Sequence, residues 1–458
     1  MNRITIEKIK HALRFSTAEG VAYGTFLGFG DHYLVAYAVA LQTNNLQIGI
    51  LCSLPGFLAS LAQLWDVQLV HLFKSRKAVI FTFALLQGLM LLPIMAITFL
   101  SMSNPGWWLI LFATLYSVFG ALTTPAWGSL MAEVVPDSLR GKYFARRGAL
   151  STLATIISFM AGGIFLNILI QKSLWGFAIL FGAALLARLI SWVLLSRLYE
   201  VPSQGKKQEQ FKANSFTHDL VSTNLGRYLI FLFAMSFVVN IASPYFTVYL
   251  LRDLKFNYIY FAGLDTISSI ATVIAITHWG KGADRVGNRR MILLASSLIP
   301  LVPLLWLMST NLVYLGFIQV FSGFAWAGFN LCTVNYLYDA TTPENRTRYL
   351  AFFNAGNGIA AGLGALLGGY LVSIMPLVMG YQILGLFLVS GVLRGIVALV
   401  FLHGLKEVRK VSQLPAAELF HVMMGGRPVN RAISHRRTSH FHFHESPPEK
   451  TDTPDKNP

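Results

Sequence analysis

An aspartate, a histidine and a tyrosine stand side by side as Asp31, His32 and Tyr33, inside an apolar stretch of the chain. Ionisable groups are costly in hydrocarbon, so a carboxyl group retained there is expected to face a cavity or a polar partner. Asp31 is therefore a candidate proton carrier, or a counter-charge for a cationic solute. A structural acid, hydrogen-bonded to a neighbouring helix, is the third interpretation. Asp265, about two turns into a later apolar stretch, is a second candidate for a proton or cation site.

A polar island at 280–290 separates two long apolar stretches, with the sequence Gly-Lys-Gly-Ala-Asp-Arg-Val-Gly-Asn-Arg-Arg. Glycine permits the positive φ and the close backbone approach of a tight turn, so we predict a turn here. The basic side chains cannot enter hydrocarbon cheaply and would hold this turn on one side of a membrane. In two other breaks an acid precedes a proline and an arginine: Glu133-x-x-Pro136-x-x-x-Arg140 and Asp339-x-x-x-Pro343-x-x-Arg346.

Composition determines the class of protein. Of the 458 residues, 55% are hydrophobic and only 12% are charged, and the mean hydropathy is +0.57. These values exclude an ordinary soluble globular protein. The formal net charge of +16 comes from short basic clusters between apolar stretches, which is typical of topology signals at a membrane and not of a nucleic-acid-binding surface. Cys52 and Cys332 lie inside apolar stretches, so no disulfide framework is implied, and no cleavable signal peptide is evident.

Twelve apolar stretches are long enough to span a bilayer as helices of about 20 residues. They fall at 18–41, 46–70, 78–100, 106–131, 147–171, 175–199, 227–251, 257–279, 290–309, 312–338, 350–374 and 380–403. Basic residues cluster after the second, fourth, sixth, eighth and tenth stretches, whereas the other breaks carry few. By the positive-inside rule, this alternation places both termini in the cytoplasm and supports an even number of spans. We therefore predict an all-α polytopic protein of the plasma (inner) membrane.

The chain divides into two related halves, joined by a long polar break that has the composition of a linker. At an offset of 206, Glu133, Arg140 and Arg188 correspond to Asp339, Arg346 and Arg394. At offsets of 212 and 213, Tyr33, Tyr37, Arg76 and Lys77 correspond to Tyr245, Tyr249, Arg289 and Arg290. A repeat of this length indicates a duplicated helical bundle. The predicted domains are an N-terminal arm at 1–17, bundles at 18–200 and 227–404, a linker at 201–226 and a basic, histidine-rich tail at 405–458.

The pattern Gly-x-x-x-Asp-Arg-x-Gly-x-Arg-Arg at 280–290 resembles the cytoplasmic loop signature of the major facilitator superfamily, and the duplicated layout covers roughly 15–405. The resemblance to its bacterial-type permeases implies twelve helices in two pseudo-symmetric six-helix bundles, and secondary transport by alternating access. In that family the signature normally follows helix 2 and recurs more weakly after helix 8, whereas here the later copy is the better one. The first half departs from the pattern: Val67, His71 and Lys74 occupy the positions of Gly280, Asp284 and Gly287.

The resemblance also implies roles for particular residues. A gate on the cytoplasmic side would be formed by Arg76, Lys77, Glu133, Arg140, Gly280, Asp284, Arg285, Gly287, Arg289, Arg290, Asp339 and Arg346. Because helices 1, 4, 7 and 10 line the central cavity in this family, the candidate lining residues are Asp31, Tyr33, Tyr37, Trp127, Asn240, Tyr245, Tyr249, Trp326 and Asn330. Two alternatives stay open: the charges could serve topology alone, and each aromatic residue could simply pack between helices. Arg188 and Arg394 are expected to be structural ties to backbone carbonyl groups or to an acid.

No catalytic constellation emerges, so an enzyme is not expected: the sequence has no Walker loop, nucleophile elbow or two-histidine helix motif. No cofactor or metal site is predicted, and His440, His442 and His444 lie in a tail expected to be solvated. The predicted partners are a small organic solute, a proton as candidate coupling ion and the lipid bilayer, without nucleic acid, and the protein is expected to be a monomer. The alternatives are an uncoupled facilitator and, in another class, a non-transporting membrane sensor or scaffold.

Overall fold

The computed structural model describes residues 3–100, 102–169, 174–200, 223–341, 343–402, 404 and 407–408. In this part of the chain the backbone is almost entirely helical, as expected where hydrocarbon offers no partner for an unpaired peptide group. Eleven helices are long and apolar enough to cross a membrane, and the N-terminal helix Arg3–Phe29 brings the number of long helices to twelve. The predicted linker at 201–226 and tail at 405–458 lie largely outside the described residues.

We number the twelve spans α1 to α12. The first half contains α1 (Arg3–Phe29, continued by Leu34–Ala40), α2 (Asn45–Ala62 and Asp66–Phe73), α3 (Arg76–Leu89 and Leu91–Phe99), α4 (Pro105–Val134), α5 (Asp137–Leu169) and α6 (Trp175–Ser196). The second half contains α7 (Asn224–Ala242, Tyr245–Val248 and a π-helical turn at Tyr249–Asp253), α8 (Tyr258–Val286), α9 (Asn288–Leu298 and Leu301–Leu305), α10 (Leu312–Asp339), α11 (Pro343–Ile374) and α12 (Gln382–Leu402). Consecutive spans run in opposite directions. We call the end with the loops after α2, α4, α8 and α10 the basic end, and the other the opposite end.

The helices extend further into the polar segments than the sequence predicts. α1 begins at Arg3, so most of the predicted N-terminal arm is continuous with the first span. The predicted turn at 280–290 is wrong in its extent: α8 continues to Val286, and Gly280 lies in regular helix. Only Gly287, with φ of 94°, reverses the chain toward α9. The physical reason is that one residue with positive φ can end a helix, and polar side chains do not prevent the preceding turns from staying helical in water.

Two spans contain breaks at equivalent positions. In α1 the α-helix gives way to a 3-10 turn at Asp31–Tyr33, directly after Gly30. In α7 the helix is interrupted at Ser243 and Pro244, which correspond to Asp31 and His32 at the repeat offset of 212. Proline has no N–H to donate and so removes a backbone hydrogen bond, which explains the break in α7. The break in α1 places its ionisable residues at an irregular point of the helix.

The buried core differs between the two ends of the molecule. At the opposite end, side chains of both halves form one continuous cluster, which includes Tyr33 of α1 and Tyr245 of α7. Toward the basic end each half has a cluster of its own, one containing Met131 and the other containing Trp279. The main contacts between the halves are those of α2 with α11 and of α5 with α8. The halves are therefore packed together at the opposite end and separate in their cores at the basic end.

Candidate functional site

The 3-10 turn of α1 presents two ionisable side chains, because Asp31 and His32 are both exposed. The His32 ring lies 5.1 Å from that of Phe159, and Phe159 packs on Phe261 of α8 at 5.5 Å. Asp265 stands one helical turn after Phe261 and is half-buried. His32 interacts electrostatically with both Asp31 and Asp265. The structure thus brings the two predicted coupling candidates, one from each half, around the same histidine.

The four tyrosines predicted to line the cavity are all buried in the core at the opposite end: Tyr33, Tyr37, Tyr245 and Tyr249. Three of their hydroxyl groups are hydrogen-bonded: that of Tyr33 to the carbonyl oxygen of Phe159 (2.5 Å), that of Tyr37 to Oγ1 of Thr98 (2.9 Å) and that of Tyr245 to the carbonyl oxygen of Asn45 (3.2 Å). In this conformation the four tyrosines therefore pack between helices, which is the alternative to lining the cavity.

The other predicted lining residues are more accessible. Asn330 is exposed, and Trp127, Asn240 and Trp326 are half-buried. The guanidinium carbon of Arg147 lies 4.2 Å from the centre of the Trp127 ring, which is a cation–π contact. The amide nitrogen of Asn240 donates to a carbonyl oxygen of its own helix (2.9 Å). These four residues stay candidates for contact with a solute.

Sequence reasoning missed a polar contact that joins the halves at the opposite end. Arg252, at the end of α7, donates from Nη1 to Oδ1 of Asn45 at the start of α2 (2.6 Å). Tyr245 donates to the backbone carbonyl oxygen of the same asparagine. Arg252 also pairs with the adjacent Asp253 at 2.9 Å. Nothing in the spacing of these residues relates α2 to α7, so no sequence signal could have identified this contact.

At the basic end of the first half, the ends of α3 and α4 are tied together. Arg76 donates two hydrogen bonds to the carboxylate of Glu133, at 2.9 and 2.7 Å. Such a two-pronged arginine–carboxylate pair is among the stronger side-chain contacts. Arg140 donates to the carbonyl oxygen of Ala132 at the end of α4 (2.7 Å). Three of the predicted gate residues therefore gather at this corner of the first half.

The corresponding corner of the second half has a different chemistry. Asn288, at the start of α9, donates from Nδ2 to Oδ2 of Asp339 at the end of α10 (2.7 Å). Four further predicted gate residues lie on either side of Asn288 in the sequence. Asp284 and Arg285 are exposed at the end of α8, and Arg289 and Arg290 are half-buried at the start of α9. The side chain of Arg346 lies outside the described part of the structure.

Two glutamates that sequence reasoning missed accept hydrogen bonds from backbone N–H groups at these two sites, at the starts of α3 and α9. Glu200, after α6, accepts hydrogen bonds from the backbone N–H groups of Arg76 (2.8 Å) and Lys77 (3.4 Å). Glu407, after α12, accepts one from the backbone N–H of Arg289 (2.9 Å). A carboxylate at a helix N-terminus satisfies unpaired N–H groups and interacts favourably with the helix dipole. The available signal was a Glu-Val pair that follows the sixth stretch directly and the twelfth stretch after three residues, at an offset of 207.

A buried charge network connects α1, α3, α5 and α6. Arg147 pairs with Glu19 at 2.6 Å, and the other carboxylate oxygen of Glu19 accepts from the hydroxyl of Ser191 (2.9 Å). Arg188 donates to Ser191 (3.1 Å) and to Oε1 of Gln87 (2.6 Å). Glu19 and Arg188 are 4% and 2% exposed, respectively. Sequence reasoning missed Glu19, although an acid at the edge of the first apolar stretch was the signal.

Among the described residues, Arg394, the repeat equivalent of Arg188, has no such network. It donates to the carbonyl oxygen of Val239 (3.1 Å) and to the hydroxyl of Ser390 (3.1 Å). The predicted structural role is thus confirmed for Arg394 as a tie to backbone. Arg188 differs from the prediction, because its hydrogen bonds go to the side chains of Gln87 and Ser191, and it is linked to the acid Glu19 only through the serine.

The described residues contain no group of three histidine, cysteine or carboxylate side chains arranged to hold a metal ion. The site does contain two exposed titratable side chains, Asp31 and His32, close to the helix contacts that pack the two halves together at the opposite end. Such an arrangement can bind a polar group or a proton in the space between two bundles.

Comparison with solved structures places this architecture among known transporters. The D-xylose–proton symporter superposes with a TM-score of 0.69 at 14% identity, over 88% of this chain and 100% of that one. The nucleoside transporter NupG gives a TM-score of 0.64 at 16% identity, over 89% and 100%. An inward-facing, unoccupied bacterial homologue of the human lysosomal transporter Spinster gives 0.63 at 13% identity, over 88% and 97%. At these identities the likeness concerns the fold alone.

Sequence comparison gives the family directly. No curated protein matches the chain. A sequence model described as Major Facilitator Superfamily matches residues 21–264 and 228–442, which together cover most of the chain. Both matched segments contain a six-helix half, in agreement with the duplicated helical bundles described above. The chain is an integral membrane protein with the predicted all-α fold, and it belongs to the Major Facilitator Superfamily.

Proposed function

We propose that this protein carries a small organic solute across the membrane by alternating access, and that the structure represents its inward-open state. The observation that carries this proposal is the difference between the two ends of the molecule. The halves share one buried core at the opposite end, whereas each has its own core at the basic end. Rocking of one bundle against the other, along the α2–α11 and α5–α8 contacts, would close the basic end and open the opposite one.

The orientation follows from charge. Basic residues on loops near membrane spans favour the cytoplasmic side, so the basic end is assigned to the cytoplasm together with both termini. The Asn45–Arg252 contact then acts as an external latch that is made only when the outside is closed. The predicted gate corners, Arg76–Glu133 and Asn288–Asp339, lie on the cytoplasmic side. We propose a monomer in the plasma (inner) membrane as the working unit.

Coupling to a proton gradient is proposed to act through Asp31 and Asp265. Both carboxylates lie within electrostatic range of His32, and Asp31 is exposed and therefore open to proton exchange. Uptake of a proton by one of them would remove a charge from the junction between α1 and α8. That change would favour one arrangement of the two halves over the other. The solute would bind in the space between the halves, among the accessible residues Trp127, Asn240, Trp326 and Asn330.

The test is an uptake screen across solute classes in proteoliposomes, with and without an inward proton gradient, for the wild type and for Asp31→Asn. Proton coupling predicts that the variant loses gradient-driven accumulation but still exchanges solute across the membrane. Recognition of a cationic solute predicts loss of binding itself, and a structural role predicts poor folding in detergent. Wild-type accumulation by Asp31→Asn would exclude this residue from coupling.

Asp265→Asn is the matched variant from the other half. If the two carboxylates act as one unit around His32, each single variant loses accumulation and the double variant is no worse than either. Uptake of no solute by the wild type, under any gradient, would refute transport and leave a sensor or scaffold role.

A further inference from the structure

Four asparagines lie inside three membrane spans of the second half, and we call them the amide face. They are Asn240 of α7, Asn330 of α10, and Asn354 and Asn357 of α11. At the repeat offsets of 212 and 206, the first half has no amide in the equivalent positions, which hold Gly28, Thr124, Gly148 and Ser151. The amides are therefore a property of one half and not a requirement of the duplicated fold.

The amide face does not tie helices together. Asparagine in a membrane helix commonly hydrogen-bonds to a neighbouring helix. Within the described part of the chain, the side chains of Asn330, Asn354 and Asn357 make no hydrogen bond, and Asn240 donates only to a carbonyl oxygen of its own helix (2.9 Å). Asn330 and Asn354 are exposed, and the half-buried amides of Asn240 and Asn357 keep unpaired polar atoms open to water. These donors and acceptors are available to a ligand.

The two exposed amides lie away from the apolar sides of their helices. On α11 the exposed apolar side chains include Leu363, which is 54% exposed. Asn354 precedes it by nine residues, which at about 100° per residue is the opposite side of the helix. Asn330 lies about 140° around α10 from Phe317, the most exposed large apolar side chain of that helix. The exposure of these amides is therefore to the space between the halves and not to lipid.

The four amides lie close together in depth. Asn330 and Asn354 are nine and eleven residues from the ends of α10 and α11 at the basic end, which is about 15 Å along each helix. The hydroxyl of Ser236 on α7 donates to the backbone carbonyl oxygen of Asn357 (3.4 Å), and Asn240 is one turn further along α7. The amide face thus extends from the middle of the second half toward the end at which the two halves have separate cores.

No charge accompanies these amides on their own helices. α7, α10 and α11 carry no charged residue over 228–251, 312–338 and 349–374, whereas α1 and α5 of the first half carry Glu19, Asp31 and Arg147. A charged group held against the amide face would lose hydration without gaining a counter-charge. A hydroxyl group both donates and accepts, and so does a carboxamide. Trp326, one turn before Asn330, offers a half-buried ring to C–H groups of a ligand.

We propose that the amide face binds a neutral solute with several hydroxyl groups, and that it selects against charged analogues of that solute. This inference rests on the transport function proposed above and specifies its substrate class. The amides would exchange hydrogen bonds with the hydroxyl groups in both directions. A solute without hydroxyl groups would leave the amides unpaired, and a site built for hydrogen bonding discriminates strongly against such a ligand.

Equilibrium dialysis of the purified full chain in nanodiscs, without an ion gradient, tests this proposal. The neutral probes are radiolabelled D-glucose, D-ribose and myo-inositol, and the charged probes are D-glucuronate and D-glucosamine. We expect saturable binding of at least one neutral probe, and binding at least tenfold weaker for both charged sugars than for the best neutral probe. Absence of saturable binding by all three neutral probes would overturn the proposal, and so would a charged sugar that binds as tightly as the best neutral one.

Asn330→Ala and Asn354→Ala each remove one exposed amide, so each should weaken binding of the best neutral probe about threefold to tenfold. Both variants should fold, because neither side chain has a hydrogen bond to lose within the described part of the chain. Thr124→Ala is the matched control, because it truncates the exposed side chain equivalent to Asn330 in the first half, and it should bind as the wild type does. Unchanged affinity in both asparagine variants, or an equal loss in Thr124→Ala, would overturn recognition by the amide face.

Uptake by proteoliposomes separates this proposal from the transport function on which it rests. Saturable binding that Asn330→Ala and Asn354→Ala weaken, without uptake of the bound probe, would refute transport and support the amide face as a binding site. Uptake of a charged solute, together with no binding of any neutral probe, would support transport and overturn the substrate class proposed here.

Discussion

The contact between Asn45 and Arg252 allows the proposed rocking motion to be measured. Asn45→Ala removes the 2.6 Å hydrogen bond from the guanidinium group but leaves the backbone carbonyl that Tyr245 contacts. Hydrogen bonds to charged groups contribute about 1.5–3 kcal/mol when buried. The Arg252 side chain is 38% exposed, so screening by solvent reduces this to roughly 1 kcal/mol. If the bond is made only while the external side is closed, as proposed, its loss should shift the population about fivefold toward the outward-open state.

Asn45→Asp is a matched variant that should change the outward-open population in the opposite direction. It keeps the acceptor oxygen and adds a negative charge beside Arg252, so the outward-open population should fall below that of the wild type. Double electron–electron resonance measures both shifts, with spin labels at Ser103→Cys and Val313→Cys. These positions are exposed at the opposite end, one in each half, and the two native cysteines are replaced by alanine. Identical distance distributions in all three proteins would refute the latch.

Two further predictions concern stability, measured as thermal unfolding in detergent. Glu19→Gln leaves Arg147 and Arg188 without a buried counter-charge and should destabilise the protein by about 3–5 kcal/mol. Combining Glu19→Gln with Arg147→Met should recover part of the lost stability. Equal stability of the single variant and the wild type would contradict a buried ion pair. Gly328→Ala places Cβ 2.3 Å from the Trp279 ring and should lower the stability of the protein by about 1–3 kcal/mol. Gly263→Ala is the control, because no atom lies within 4 Å of its Cβ, and it should leave stability unchanged. Equal effects of the two substitutions would contradict this packing of α8 against α10.

The fold could be predicted from the sequence because its determinants are local and repetitive. A span of about 20 apolar residues can satisfy its backbone in hydrocarbon only as a helix, so hydropathy alone indicates twelve spans. Helix ends were harder to place, because polarity marks where the chain leaves the membrane and not where the helix stops. Thus α8 passes through its charged segment to Val286, and a single residue, Gly287, makes the turn.

The site could be predicted only in part, because contacts across the bundle depend on helix rotation and packing. Asp31 and Asp265 were recognisable as costly carboxylates, but their common neighbour His32 follows from the meeting of α1, α5 and α8. The aromatic positions Tyr33 and Tyr245 are equivalent in the repeat, and neither lines the space between the halves in this conformation. Which face of a span points inward is not encoded in its hydropathy, since lipid and packed core are both apolar.

Duplication makes the differences between the halves informative. The repeat offsets align Glu19 with Phe231 and Arg147 with Phe353, so the ion pair between α1 and α5 corresponds to two aromatic residues of the second half. Arg188 accordingly reaches a charged network, whereas its equivalent ends on a backbone carbonyl. Electrostatic contacts respond to a change in protonation, and aromatic packing does not. If Asp31 takes up a proton as proposed, the charged network of the first half can respond to it, whereas the equivalent positions in the second half hold the aromatic residues Phe231 and Phe353.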